Sequence, residues 1–242
     1  MTNGYEFIAH RGLFDKENGI PENSMPAFAR AVEAGLAIEL DVRMTLDGQL
    51  VVFHDSGCQR MTGHLGSVSS KTYDTLKQYR LEGTEYGIPL FADVLQLVDG
   101  RVPLLIEIKN ISLVGKLERK LLEMLSAYRG RYIIESFHPG VVWWMKRHGQ
   151  GIVAGQLVSM HSTSHNPFEK MIMKCRGFYK WTHADFMAYD IRELTPKMSE
   201  KFHEQGLKVY GWTVRSVADY KKVRHICDGV IYDTVSKRAF PV

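Results

Sequence analysis

Four short apolar runs of this chain carry ionisable residues at spacings that could do chemistry. His10-Arg11-Gly12 ends the run Phe7-Ile8-Ala9. Glu39 and Asp41 lie inside Ala37-Ile38-Glu39-Leu40-Asp41-Val42. His54-Asp55 closes Leu50-Val51-Val52-Phe53. Glu107 and Lys109 lie inside Leu104-Leu105-Ile106-Glu107-Ile108-Lys109. Charged side chains are rarely buried without partners. Four such runs therefore predict a shared polar centre, where a metal ion and an anion would settle the charge.

Residues two apart on a strand face the same way. Glu39 thus shares a face with Asp41, and Glu107 with Lys109. Three carboxylates on adjoining strands repel and raise one another's pKa. One divalent cation relieves this, and oxygen ligands suit Mg²⁺ or Ca²⁺, whereas zinc would prefer His or Cys. The alternative is that Glu39, Asp41 and Glu107 form structural salt bridges with Arg11, Arg43 and Lys109. His10 and His54 read as a general acid/base pair, because histidine titrates near neutral pH. Arg11 and Lys109 supply fixed positive charge, and arginine can grip phosphate oxygens with two donors. The set points to phosphoryl chemistry more than to proton abstraction from carbon.

The elements that must position these residues are short. Strands are predicted at 5–10, 37–44, 50–54, 103–109, 131–137, 152–158, 185–190, 208–214 and 229–233. Helices are predicted at 24–34, 91–98, 112–128, 139–148, 167–176, 195–205 and 216–224. Ser24, Thr195-Pro196 and Ser216 are helix starts, and Gly35 and Gly206 are stops. Strand–helix alternation implies a parallel sheet. This length and strand number favour an α/β fold of the closed TIM (β/α)8 type. The strand candidates exceed the eight places by one. Asp47-Gly48 explains the surplus as an antiparallel hairpin between 37–44 and 50–54. With Leu46 opposite Gln49, the register would set Asp41 opposite His54, on one face. The segment 55–90, rich in Gly, Ser and Thr with a short helix over 70–80, reads as a small insertion beside the barrel mouth. The whole of 1–242 is then one barrel domain.

Composition narrows the class. The chain has 242 residues, is 45% hydrophobic and 24% charged, and carries a formal charge of +4. That is an ordinary globular balance, and a weak case for a nucleic-acid partner. Lys221-Lys222 and Lys237-Arg238 are isolated pairs. Cys58, Cys175 and Cys227 are scattered, which argues against a disulfide framework or a thiolate zinc site and fits a reducing cytoplasm. No signal peptide or membrane-spanning run is visible, so no stable membrane anchor is expected. The oligomeric state is not legible.

The ordered motifs His10-Arg11-Gly12, Pro21-Glu22-Asn23-Ser24, Glu39-Leu40-Asp41-Val42, Asp47-Gly48, His54-Asp55 and Glu107-Ile108-Lys109 resemble the glycerophosphodiester phosphodiesterases. Arg60-Met61-Thr62-Gly63, Ile88-Pro89-Leu90, Ser136-Phe137, Gly211-Trp212-Thr213-Val214 and Asp228-Gly229-Val230-Ile231 extend the likeness over nearly the whole chain. The resemblance implies a TIM barrel with a small insertion after the second histidine. It implies metal binding at Glu39, Asp41 and Glu107, acid and base roles for His10 and His54, and phosphate contacts from Arg11 and Lys109. The implied reaction is hydrolysis of a small-molecule glycerophosphodiester to sn-glycerol 3-phosphate and an alcohol. Two departures stand out. Arg215 replaces a frequent Asn after Trp-Thr-Val, and Asp233-Thr234-Val235 replaces a frequent Asp-Tyr-Pro. Arg215 is expected to be a solvated residue at a helix start; otherwise it would favour a more anionic head group.

Other residues are less determined. Asn23 or Ser24 is expected to cap a helix, with Glu22 supporting Arg11 or His10. Trp212 and Phe137 either pack on the substrate or fill the core. Trp143-Trp144 suit core packing or an interaction surface, and 160–165 a loop at the rim. Two rival functions remain at this point. One is a barrel acting on lysophospholipids, which would need an apolar ramp. The other is a non-enzymatic binder of phosphorylated polyols.

Overall fold

The computed structural model describes residues 4–110, 114–159 and 178–233. Nine strands form one sheet: β1 (Phe7–Ala9), β2 (Ala37–Met44), β3 (Leu50–Val52), β4 (Leu104–Ile108), β5 (Tyr132–Ser136), β6 (Ala154–Val158), β7 (Phe186–Asp190), β8 (Lys208–Val214) and β9 (Gly229–Tyr232). Every strand predicted from sequence is present. Eight of them are parallel and close on themselves. The order β1-β9-β8-β7-β6-β5-β4-β2 is completed by pairing of β1 with β2. β3 lies outside this ring, antiparallel to β2 on one side and bridged at Val51 to Leu90 on the other. The fold is therefore a TIM barrel with an extra hairpin strand.

Helices cover the ring: α1 (Met25–Glu33), α2 (Gln59–Thr62), α3 (Tyr73–Leu76), α4 (Phe91–Val98), α5 (Lys116–Ser126), α6 (Pro139–His148), α7 (Phe178–Thr182), α8 (Pro196–His203) and α9 (Val217–Val223). Ser24, Thr195 and Ser216 cap α1, α8 and α9, each accepting a backbone N–H from the third residue on. These bonds satisfy donors that have no partner within the helix. The predicted helix 167–176, the rim loop 160–165 and the first residues of the predicted helix 112–128 lie outside the described residues.

Strand alternation sorts the side chains. Ile38, Leu40, Val42, Leu104 and Ile106 point outward, into a shell shared with Phe28, Phe91, Leu121 and Met145 from the helices. Ala37, Leu105, Ile133, Phe186, Tyr210 and Ile231 point inward and fill the ring. The core of a TIM barrel is packed, not an open pore. This apolar plug leaves only the C-terminal ends of the strands for polar groups.

The hairpin register differs from the expected one. Val42 pairs with Val52 and Met44 with Leu50, and the Thr45 N–H donates to the Gln49 carbonyl at 2.9 Å. The loop therefore has three residues, Leu46-Asp47-Gly48, instead of two. Gly48 takes a φ of 79°, the left-handed position of a three-residue hairpin loop. Asp41 then bonds across to Phe53, whose N–H donates to the Asp41 carbonyl at 2.9 Å. His54 lies one residue past the pairing.

Segment 55–90 is more than a loop. Leu76 and Leu81 are buried with Val51, Phe53, Cys58, Met61, Val68 and Ile88 in a small core of their own. The predicted helix over 70–80 is present as α3, shorter, after a single tight turn at Val68–Ser70. Leu65 is exposed. The other apolar groups of the segment pack inward and build no ramp.

Candidate active site

The inward positions at the C-terminal strand ends converge on one cavity. His10, Arg11, Glu39, His54, Glu107, Lys109, Phe137 and Trp212 all line it, together with Glu135, Thr213 and Arg215. Asp41 is wholly buried among them. Sequence reasoning named eight of the lining residues, and the strand ends gather all eight.

The acidic group forms from parallel register. Asp41 on β2 pairs with Glu107 on β4, and Glu107 pairs with Glu135 on β5. One oxygen from each of Glu39, Asp41 and Glu107 can be chosen so that all lie within 4.8 Å of one another. Burial, with the charges of Asp41, Glu107 and Glu135, pushes the Glu39 carboxyl well above the usual carboxylate range. Burial likewise lifts Glu107 to about 7, against the pull of Lys109. Asp41 falls the other way despite its burial, because Lys109, His54, Arg11 and the Asn23 amide favour its charge.

The donor set fits a hard divalent cation. Glu39 Oε1 is buried with no hydrogen-bond partner, a costly state for a carboxylate. Oxygen donors alone make up the group, as Mg²⁺ or Ca²⁺ prefers. The structural salt-bridge alternative is met only in part. Lys109 Nζ lies 2.7 Å from Glu107 Oε1 and 3.1 Å from Asp41 Oδ1, and Arg11 Nε 3.6 Å from Asp41 Oδ2. The Arg11 backbone N–H donates to Glu39 Oε2 at 2.8 Å. Arg43 pairs with none of the three.

Arg43 does something else. Its Nε and Nη2 donate to the His54 carbonyl, at 3.0 and 2.6 Å, and its Nη1 donates to the Lys109 carbonyl at 3.2 Å. It ties the end of β3 to the end of β4 across β2.

Each histidine is held by a carboxylate. His10 Nδ1 lies 2.6 Å from Asp233 Oδ1, and His54 Nδ1 lies 2.6 Å from Asp55 Oδ1. Asp233 stays ionised, since hydrogen bonding to His10 and the charge of Arg215 outweigh its burial. Asp55 is held down by His54 and Arg60. An ionised carboxylate can only accept, so each Nδ1 carries the proton and each Nε2 keeps a lone pair. Burial lowers the pKa of His10. Burial, aided by Lys109, lowers His54 to about 4. Both rings are therefore neutral near pH 7.

The turn after β1 explains the first motif. Arg11 and Gly12 have φ of 56° and 80°. A Cβ at Gly12 would also come within 3.0 Å of Ala27 and Phe28 on α1, so glycine is required there. Asn23 does not cap α1. Ser24 does, and the Asn23 Nδ2 donates to Asp41 Oδ2 at 2.7 Å. Glu22 accepts from Arg11 and from Arg60, at 2.7 and 2.6 Å, as support for Arg11. Phe137 and Trp212 meet edge to face, with ring centres 5.5 Å apart, on the far wall. Arg215 is not simply a solvated charge, since its Nε is 2.8 Å from Asp233 Oδ2.

Sequence reasoning missed Glu135 and the roles of Asp233 and Asn23. Glu135 stands two residues before Phe137, and Asp233 two after Ile231. The same period of two that exposed Glu39 and Asp41 puts both on the inward face, but it gives no sign that Asp233 meets His10.

The glycerophosphoryl diester phosphodiesterase family model matches residues 10–237. The chain belongs to this family. It is a phosphodiesterase, a hydrolase of phosphoric diesters. The glycerophosphodiester phosphodiesterase of Caldanaerobacter subterraneus subsp. tengcongensis is 32% identical over 244 residues, covering 93% of either chain. That of Bacillus altitudinis is 37% identical over 147 residues, covering 56% of this chain and 59% of its own. Among solved structures, a Silicibacter pomeroyi putative glycerophosphoryl diester phosphodiesterase superposes with a TM-score of 0.82 at 22% identity, covering 96% of this chain and 91% of that one. An Oleispira antarctica phosphodiesterase, solved in complex with the product sn-glycerol-3-phosphate, gives 0.81 at 19% identity, covering 94% and 92%. At these identities the two structures speak for the fold, which they share with the other phosphodiesterases of the family.

Proposed function

We propose that this phosphodiesterase hydrolyses glycerophosphodiesters to sn-glycerol 3-phosphate and an alcohol, with one divalent cation at Glu39, Asp41 and Glu107 and with His10 and His54 as the proton-transfer pair. The observation that carries this reading is one cavity in which two neutral imidazoles present Nε2 beside a buried, unbalanced group of three carboxylates. The family supports the substrate, and the solved relative with sn-glycerol-3-phosphate supports the product.

The cation, Mg²⁺ or Ca²⁺, would polarise a phosphoryl oxygen. Arg11 and Lys109 bind the remaining phosphate oxygens and offset the charge that grows there. One imidazole takes the proton of the attacking group, either water itself or a substrate hydroxyl whose cyclic phosphate water then opens. The other must arrive protonated, and the bound phosphate anion favours this by raising its pKa. That imidazole then gives its proton to the departing alkoxide. Trp212 and Phe137 form the wall on which the glycerol or alcohol carbons pack. The whole of 1–242 serves as one catalytic unit, acting on a small molecule in the cytoplasm. Among the described residues no helix is long and apolar enough to cross a membrane.

The test is release of sn-glycerol 3-phosphate from a panel of glycerophosphodiesters, with EDTA and then Mg²⁺ or Ca²⁺ added back. Cation-restored release is expected. Loss of release in both His10→Ala and His54→Ala, with folding retained, assigns the pair. Full activity in either variant would remove that residue from the mechanism.

A further inference from the structure

Arg215 stands between β8 and α9. Its backbone N–H donates to Asp219 Oδ2 at 3.0 Å, and Ser216 caps the helix that follows. The main chain at Arg215 is thus fixed by the helix start. The side chain turns to the cavity and lines it. Its Nε lies 2.8 Å from Asp233 Oδ2. The other oxygen of that carboxylate, Oδ1, holds His10 Nδ1 at 2.6 Å. One carboxylate therefore has one oxygen on each partner, and the three side chains form a line from solvent to the imidazole.

The geometry separates this line from a stability device. The Arg215 side chain is 61% exposed, and such a surface pair contributes little to folding. The Asp233 backbone is held independently, because its N–H donates to the Val214 carbonyl at 3.1 Å. What Arg215 adds is a fixed carboxylate plane. Without it, water competes for Oδ2 and the carboxylate can turn. His10 then loses a fixed bond at Nδ1, which orients its Nε2 toward the cavity.

We infer that Arg215 is a positioning residue, which acts through Asp233 to hold the His10 imidazole in its reactive orientation. This rests on the reading in which His10 transfers a proton. A displaced catalytic group costs rate more than binding, and a misplacement of about 1 Å can cost about 100-fold. Partial freedom of His10 should cost less.

The experiment is steady-state kinetics of Arg215→Ala, Arg215→Lys, Asp233→Asn and the double variant, with one glycerophosphodiester substrate and saturating cation. For Arg215→Ala we expect kcat to fall about 5- to 30-fold with KM changed less than about twofold, short of the full cost of misplacement. The melting temperature should stay within about 2 °C, as for an exposed pair. Guanidinium ion at tens of millimolar should restore part of the kcat of Arg215→Ala and none in the wild type. Adding Arg215→Ala to Asp233→Asn should cost little more. An unchanged kcat, a rise confined to KM, no restoration by guanidinium, or full additivity in the double variant would each overturn the inference. His10→Ala keeps the two readings apart. If it stays active, the role of His10 fails. If it is inactive while Arg215→Ala is normal, only the inference about Arg215 fails.

Discussion

Asp41 and Glu107 stand side by side in the parallel register of β2 and β4, and the Lys109 ammonium reaches both. Lysine settles part of their charge and leaves Glu39 Oε1 without a partner. A divalent cation should therefore stabilise the fold as well as the reaction. At a cation concentration of 100 times Kd the gain would be about 2.7 kcal/mol. Thermal melts in EDTA and in Mg²⁺ or Ca²⁺ would measure it. Asp41→Asn and Glu39→Gln should abolish the shift, because each removes an oxygen charge from the group. An equal shift in the variants would place the cation elsewhere.

Arg43 is half-buried and makes no ion pair among the described residues; its guanidinium goes to two carbonyls. Hydrogen bonds from a charged donor are worth about 1.5–3 kcal/mol each. Arg43→Met should lower unfolding stability by roughly that amount in a urea melt. It should also lower kcat, since the carbonyls it holds belong to His54 and Lys109. Arg43→Lys should recover less than half of either loss, because an ammonium cannot span both carbonyls in one plane.

Glu135 is buried under Glu107, and burial first, then the Glu107 charge, raises its pKa well above the usual range. The folded protein holds this proton above the pH at which the unfolded chain releases it. Stability is therefore full below about pH 4 for this group and falls as pH rises toward the folded pKa, by up to about 1.4 kcal/mol per pH unit. In EDTA between pH 5 and 7, Glu135→Gln should show a flatter decline of unfolding free energy than the wild type. Parallel curves would mean that Glu135 is ionised in the folded state.

Asp228 makes the opposite prediction, far from the site. Burial alone would raise its pKa. The Lys208 ammonium at 2.6 Å, the Val209 N–H at 2.9 Å and His203 Nε2 at 2.8 Å lower it instead. Its stabilisation is present above the unfolded pKa of about 3.9 and is lost as pH falls through the lower folded value. Asp228→Asn should cost about 1–2 kcal/mol at pH 7, and the difference from wild type should shrink as pH falls below the unfolded pKa. A constant difference across that range would refute the assignment.

Much of this was legible in the residues because a strand has a period of two. Glu39 with Asp41, and Glu107 with Lys109, declared a common face before any fold was drawn. The ring itself then followed from alternation of strands and helices. The hairpin register was not legible, because Asp47-Gly48 suits a two-residue turn and a three-residue loop ending in Gly48 equally well. His54 reaches the site all the same, by leaving the strand after Val52. The salt-bridge alternative fails at Arg43, because charge in a sequence says nothing of the direction a side chain takes. Asp233 was passed over for a different reason. It lies at the far end of the chain from His10, and no local pattern links residues 223 positions apart.

That separation has a consequence for the life of the molecule. His10 leaves the ribosome 223 residues before its anchor, Asp233. Glu39, Asp41, His54, Glu107 and Lys109 are all synthesised before β5, but β1 can acquire β9 as its neighbour only after residues 229–232 have emerged. A nascent chain therefore carries almost every reactive group while its first imidazole still swings free. The ring closes and the His10 imidazole gains its anchor in one event, when β9 joins β1.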